Sequence, residues 1–192
     1  MKLFFAPGFS SLADHIALLE AGFKFEIAQV DLETKQLQDG GDYLAINPKG
    51  QVPALMFDEG QVLTENAAIL VWVADHAPHL APSGDLGRYR LLEMFSFIAS
   101  EIHKRFPIYL SIAEDAQAPI ADDIVRCFGF VAAGLERGYL FGEAFSVADA
   151  YLFVMARGAL QLGFPVETPL ADYVARIEAR PAVQAALRRE AG

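Results

Sequence analysis

Two adjacent serines, Ser10 and Ser11, stand where a strand, a turn and a helix meet. The apolar run Lys2-Leu3-Phe4-Phe5 precedes them, Pro7-Gly8 supplies the turn, and Leu12, Ile16 and Leu19 follow at helical spacing. A helix N-terminus carries unpaired N–H groups and a partial positive charge, so it favours thiolates and other anions. The chain offers such an anion a hydroxyl rather than a thiol. Ser11 also heads a Ser-x-x-Asp pattern with Asp14, which would occupy it as a helix cap. Glu65-Asn66 sits where a hairpin hands over to a helix. The backbone N–H and side-chain amide of Asn66 would hold a carboxylate and Glu65 an ammonium, the two ends of an amino acid, although plain helix capping gives the same pattern. Ser96, Ser100 and His103 recur at i, i+4 and i+7 and so share a helix face, beside the cations Lys104 and Arg105. That stripe suits an anionic ligand, with His103 as an acid or base; a structural histidine and a solvated basic pair are the plainer alternatives.

The elements that must position these residues fall into two parts. Strand signals over 1–5 and 25–30 flank a helix over about 10–21 that Gly22 closes. A long polar loop leads to short runs at 54–57 and 61–63, joined by Asp58-Glu59-Gly60 as an antiparallel hairpin, and then to a helix through Ile69, Trp72 and Val73. Just before the hairpin, Val52-Pro53 is either an ordinary loop proline or a cis peptide; a cis bond would turn the N–H and C=O of Val52 outward to pair with an extended peptide. The Pro- and Gly-rich stretch 78–87 reads as a linker between a domain over 1–77 and one over 88–192. Beyond it the pattern is helical only: about 88–112, 120–137, 147–162, 170–179 and 182–190. Ser146 and Asp149 form a capping-box pattern at the third of these helices, with Phe145 and Ala150 as a weak staple, and read as structural.

Composition narrows the classes. The 192 residues are 54% hydrophobic with a mean hydropathy of +0.28, enough for a substantial core. With 15 Lys and Arg against 25 Asp and Glu, the formal charge of −10 speaks against nucleic acid and anionic membranes as partners and for small molecules. No stretch has the length and apolarity of a membrane span and none reads as a secretory leader, so the expected location is the cytoplasm. A single cysteine, Cys127, allows neither an internal disulfide nor a cysteine-cluster metal site, and reads as a small buried hydrophobe.

Seven segments in register, "KLFFAPG", "HIALLEAG", "DYLAINPKGQVPAL", "VLTE", "ASEIHK", "SVADAYLF" and "ARPAV", resemble the cytosolic glutathione transferases, above all the bacterial beta class, over essentially the whole chain. The resemblance implies a thioredoxin-like N-terminal domain that binds glutathione, an all-α C-terminal domain that helps form the pocket for a small hydrophobic electrophile, and a homodimer. Carried over residue by residue, it implies that Val52, before a cis Pro53 and next to Gln51, pairs with the cysteinyl backbone of glutathione. Glu65 and Asn66 would hold the γ-glutamyl end and Lys35 the glycyl carboxylate, while Ser96, Ser100, His103 and Lys104 would line the site partly from the neighbouring subunit. Glutathione is then the co-substrate, with no metal.

The chain also departs from that pattern. Ser10 stands where the beta class typically has a cysteine, Phe5 where Tyr is frequent, and Ser96 where Asn is common. Thiol–disulfide chemistry is therefore expected to be lost or very weak unless a second glutathione resolves the mixed disulfide. What remains is activation of glutathione's own thiol by a serine hydroxyl, as in the serine-type transferases, with Ser10 favoured over Ser11. The alternatives are glutathione-dependent reduction of peroxides or disulfides, and a non-catalytic binder of glutathione or a hydrophobic ligand, with Phe9, Phe106 and Tyr109 near the cleft.

Overall fold

Alternation in the first strand sets up a two-sided sheet. In β1 (Lys2–Phe5), Leu3 faces the main helical core, while its neighbour Phe4 faces a smaller cluster with Val30, Tyr43 and Ala54. The computed structural model describes residues 1–191; Gly192, the last residue of the expected helical domain, lies outside them. From β1 the chain turns into α1 (Ser11–Glu20), returns as β2 (Glu26–Asp31) parallel to β1, and adds a short edge strand β3 (Gln36–Leu37). The hairpin β4 (Ala54–Met56) and β5 (Val62–Thr64) pairs antiparallel to β1, giving the order β3-β2-β1-β4-β5. A helix α2 (Asn66–His76) closes this thioredoxin-like sheet, and every later element among the described residues is helical.

The helical half differs from the sequence expectation in one consequential place. Rather than one helix over 88–112, there is α3 (Gly87–Phe97), a π-helical segment Ile98–His103, and α4 (Arg105–Ser111). Pro107 supplies the reason: it has no N–H to give the His103 carbonyl and its ring would crowd that carbonyl, so an α-helix cannot run through it. The chain widens, with Lys104 N–H on the Ala99 carbonyl, and restarts with Pro107 in the first turn of α4, where the missing N–H costs nothing. The next expected helix also stops early. After α5 (Ala118–Ala132), residues Leu135–Arg137 form a 3-10 turn. The polar loop after β2 contains β3 and a 3-10 turn, Tyr43–Ala45, neither of which a two- or three-residue pattern announces.

At the centre lies α6 (Val147–Gln161), buried along nearly its whole length and packed against α1, α2 and α3. Helices α7 (Thr168–Glu178) and α8 (Pro181–Glu190) complete the molecule, with α8 lying across α1. Because α1 touches both α6 and α8, the sheet and the helical half share one continuous core, which fixes the walls of the cleft between them. No helix among the described residues is long and apolar enough to cross a membrane.

Candidate functional site

The N-terminal end of α1 opens on a cleft of about 600 Å³ between the sheet and the helical half. The first half contributes Phe9 and Ser10, Lys35, the loop from Asn47 to Pro53, and Thr64 to Ala67; the helical half contributes Ala99, His103, Lys104, Pro107 and Tyr151. Three lysines, 35, 49 and 104, therefore border one cleft in an acidic protein, an arrangement suited to an anionic ligand.

Ser10 precedes α1 and is 6% exposed. The N–H groups of Leu12 and Ala13 turn back onto the carbonyls of Phe9 and Ser10, so the N–H groups of Ser10 and Ser11 are left at the open helix end. The Ser10 hydroxyl donates to Asn66 Oδ1 at 2.9 Å. The amide's orientation is fixed from its other side, because Asn66 Nδ2 donates to the Ser10 carbonyl (2.9 Å) and to Asp14 Oδ2 (2.6 Å). Ser11 is a different case. Its side chain is fully buried, faces the Ala6 backbone as acceptor (3.3 Å) and donor (3.4 Å), and lines no part of the cleft. It is neither a candidate activator nor the expected cap, since α1 begins at Ser11 itself and Asp14 is engaged by Asn66.

The Asn66 reading needs a second correction. Both amide hydrogens are spent on Ser10 and Asp14, so the side chain has none for a ligand carboxylate; only its backbone N–H at the start of α2 is placed for that. Beside it, Glu65 pairs with Lys49 and takes the backbone angle φ +76°, while Lys35, across the cleft, takes φ +60°. For residues other than glycine such angles cost about 1–3 kcal/mol and cluster at ligand sites. Lys35 Nζ donates to the Gly50 carbonyl at 2.9 Å. The Val52-Pro53 peptide is cis, and the N–H and C=O of Val52 bond to nothing in the protein among the described residues. Gln51 turns its carbonyl inward to Tyr43 (2.7 Å) and Asn47 (2.7 Å), which anchors this loop.

From the helical side, His103 Nδ1 lies 2.7 Å from the Tyr151 hydroxyl. Burial pushes the imidazole below its usual value, so it is neutral near pH 7, and raises the Tyr151 phenol. Ser96 and Ser100 do not join them. Both are exposed, Ser100 donates to the Ser96 carbonyl and to Glu101, and the wider π-helical turn carries His103 off the line they share. Phe106 and Tyr109 pack on Phe164 instead of lining the cleft. Lys49 and Tyr151 are lining residues that sequence reasoning missed. Lys49 lies in the segment "DYLAINPKGQVPAL" two residues before Gln51, whereas Tyr151 sits in an apolar helical run with nothing to mark it.

Beneath the site, the Asp14 carboxyl is fully buried, its Oδ1 has no partner, and burial raises it well above the usual carboxylate range. A raised native value means that the folded state holds the proton more tightly than the unfolded one. Asp14 therefore adds stability as pH falls through its folded-state value toward about 3.9, the unfolded value. Urea midpoints of wild type and Asp14→Asn across that window test this. The difference between wild type and variant is expected to shift in favour of wild type on acidification, by up to about 1.4 kcal/mol per pH unit; parallel curves would contradict it.

Comparison with known proteins gives this geometry a family. Residues 14–76 match the family model of the glutathione S-transferase N-terminal domain. The chain is 40% identical to glutathione S-transferase GstA of Escherichia coli O157:H7, over 99% of this chain and 98% of that protein. Among solved structures, a sphingomonad glutathione S-transferase complexed with glutathione superposes with a TM-score of 0.91 at 43% identity, covering 100% of this chain and 99% of that one. A bacterial beta class glutathione S-transferase of Sphingomonas chungbukensis gives 0.90 at 42% identity over 99% and 98%. A likeness that runs the length of both chains and includes the sheet, the helical half and the cleft between them decides the matter: the chain belongs to the glutathione S-transferase family of enzymes, close to its bacterial beta-class members.

Proposed function

We propose that the cleft binds glutathione and transfers its thiolate to a small hydrophobic electrophile, with Ser10 at the sulfur. The observation that carries this is a nearly buried hydroxyl at the open N-terminus of α1, in a cleft with groups for each part of the tripeptide. Val52 offers an unpaired N–H and C=O to the cysteinyl backbone beside Pro53 and Gln51. The Asn66 N–H and Glu65 carboxylate take the γ-glutamyl end, Lys49 releasing or sharing Glu65, and Lys35 takes the glycyl carboxylate. A sphingomonad relative is complexed with glutathione, which supports the same ligand here. In this reading residues 1–77 form the glutathione-binding domain and 88–192 the helical one, joined by 78–87. The protein works as a homodimer, with exposed Ser96 and Ser100 turned to the second subunit and His103 and Lys104 at the cleft.

A free thiol titrates near 8.5, and a hydroxyl donor together with a helix N-terminus lowers it by about one unit. Ultraviolet titration of the thiolate of bound glutathione is expected to show that shift in wild type and its loss in Ser10→Ala. Binding with an unshifted thiol in wild type would leave a binding protein without transferase chemistry.

A further inference from the structure

The hydrogen that this reading asks Ser10 to give to sulfur is already committed. A serine hydroxyl has one hydrogen, and here it points to Asn66 Oδ1 at 2.9 Å. The amide cannot turn over to release it. Its Nδ2 end is held between two acceptors, the Ser10 carbonyl and Asp14 Oδ2, and a reversed amide would aim an oxygen at both. Ser10 is thus met twice by the same amide, through its hydroxyl and its carbonyl, while Asp14 braces that amide from within the core. Asn66 is itself only 7% exposed and Asp14 not at all, so water does not compete for these bonds.

We propose that Asn66, braced by Asp14, is a positioning residue that sets the acidity of the bound thiol by competing with sulfur for the single hydrogen of the Ser10 hydroxyl. The inference rests on glutathione binding with its sulfur at Ser10. With its hydrogen on Asn66, the hydroxyl turns lone pairs to the sulfur, which suits a protonated thiol. With its hydrogen on sulfur, it stabilises the thiolate, and the Asn66 carbonyl loses a donor. No bond is made or broken beyond these hydrogen bonds. Asn66 therefore restrains thiolate formation, and the enzyme holds glutathione in a less reactive form than an unrestrained serine would.

The test compares glutathione bound to wild type, Ser10→Ala, Asn66→Ala and the Ser10→Ala/Asn66→Ala double variant, reading the thiol pKa from ultraviolet thiolate absorbance. Asn66→Ala keeps the backbone N–H at the start of α2. Because that change alone strands the Asp14 carboxyl, Asp14→Ala/Asn66→Ala, which removes both partners, serves as the version that spares the fold. Asn66→Ala is expected to lower the bound thiol's pKa by about one unit below wild type, tenfold more thiolate at a pH below both values. The double variant with Ser10→Ala is expected to lose that gain, a dependence that loosened packing would not reproduce. An Asn66→Ala thiol that titrates like wild type, or a lowered value that persists without the Ser10 hydroxyl, overturns the proposal. Ser10→Ala and Asn66→Ala both titrating like wild type counts against Ser10 as the activator as well. Failure of wild type to bind glutathione overturns both.

Discussion

Asp149→Ala is expected to cost about 4 kcal/mol of stability, far more than a helix cap ordinarily contributes. The Asp149 side chain is fully buried, and its carboxylate receives the Ser146 N–H (2.8 Å), the Ser146 hydroxyl (2.6 Å), the Leu140 N–H (2.9 Å) and the Tyr173 hydroxyl (3.0 Å). Alanine removes the acceptor from all four. The two hydroxyls can recover, Tyr173 on the Asp149 carbonyl at 3.3 Å, but the two main-chain N–H groups have nowhere to turn. A buried donor left unpaired costs about 1–3 kcal/mol, and the lost charge-assisted bonds add to it. Ser146→Ala removes one donor to the carboxylate and the hydroxyl that accepts from the Asp149 N–H, but that N–H keeps the Ser146 carbonyl at 3.0 Å, so about 1 kcal/mol is expected there. Urea denaturation of both variants decides between this and a simple cap: equal losses would mean that Asp149 does no more than close its own helix.

That residue marks where sequence reading worked and where it stopped. Ser-x-x-Asp ahead of an apolar run is a local signal, and it correctly marked the start of α6; what it omitted was Leu140 and Tyr173, which reach Asp149 from other segments. The same division holds in the cleft. Strand–turn–helix, hairpin and Pro-Gly punctuation are local, so β1, α1, β4 and β5 were legible from spacing, as was the placement of Ser10 at a helix end. The order of the sheet and the joining of its two halves rested on likeness to a family. The Ser10–Asn66–Asp14 cluster joins residues more than fifty positions apart, and no periodicity announces it. Read locally, Ser11 and Asp14 looked like a cap and Asn66 like a ligand-binding amide; tertiary contacts reassigned all three. The break at Pro107 had a local sign in the proline itself, and the apolar rhythm on either side concealed it.

The second large effect lies at the other end of α1. Arg180, at the start of α8, meets Glu20 through two parallel bonds, Nε to Oε1 at 2.6 Å and Nη2 to Oε2 at 2.8 Å. It also donates to the Tyr139 hydroxyl at 3.1 Å and lies over the Phe145 ring at 4.3 Å. This ion pair spans 160 positions and ties the last turn of α1 to the C-terminal helix, so it braces the element that presents Ser10. Breaking a buried pair costs about 3–5 kcal/mol because the surviving charge is stranded. The Arg180 side chain is 27% exposed and Glu20 12%, which reduces the expected loss for Arg180→Ala to about 2–3 kcal/mol. Glu20→Gln should cost less, near 1 kcal/mol, because the guanidinium keeps Tyr139, Phe145 and an amide oxygen. Chemical denaturation of the two variants measures that asymmetry, and equal losses would refute a stranded carboxylate as the cause. The thiol of bound glutathione should titrate as in wild type in both. Ten residues of helix, about 15 Å, separate Glu20 from Ser10, and the hydrogen bonds that orient the serine come from Asn66, itself held by Asp14, rather than from the far end of α1.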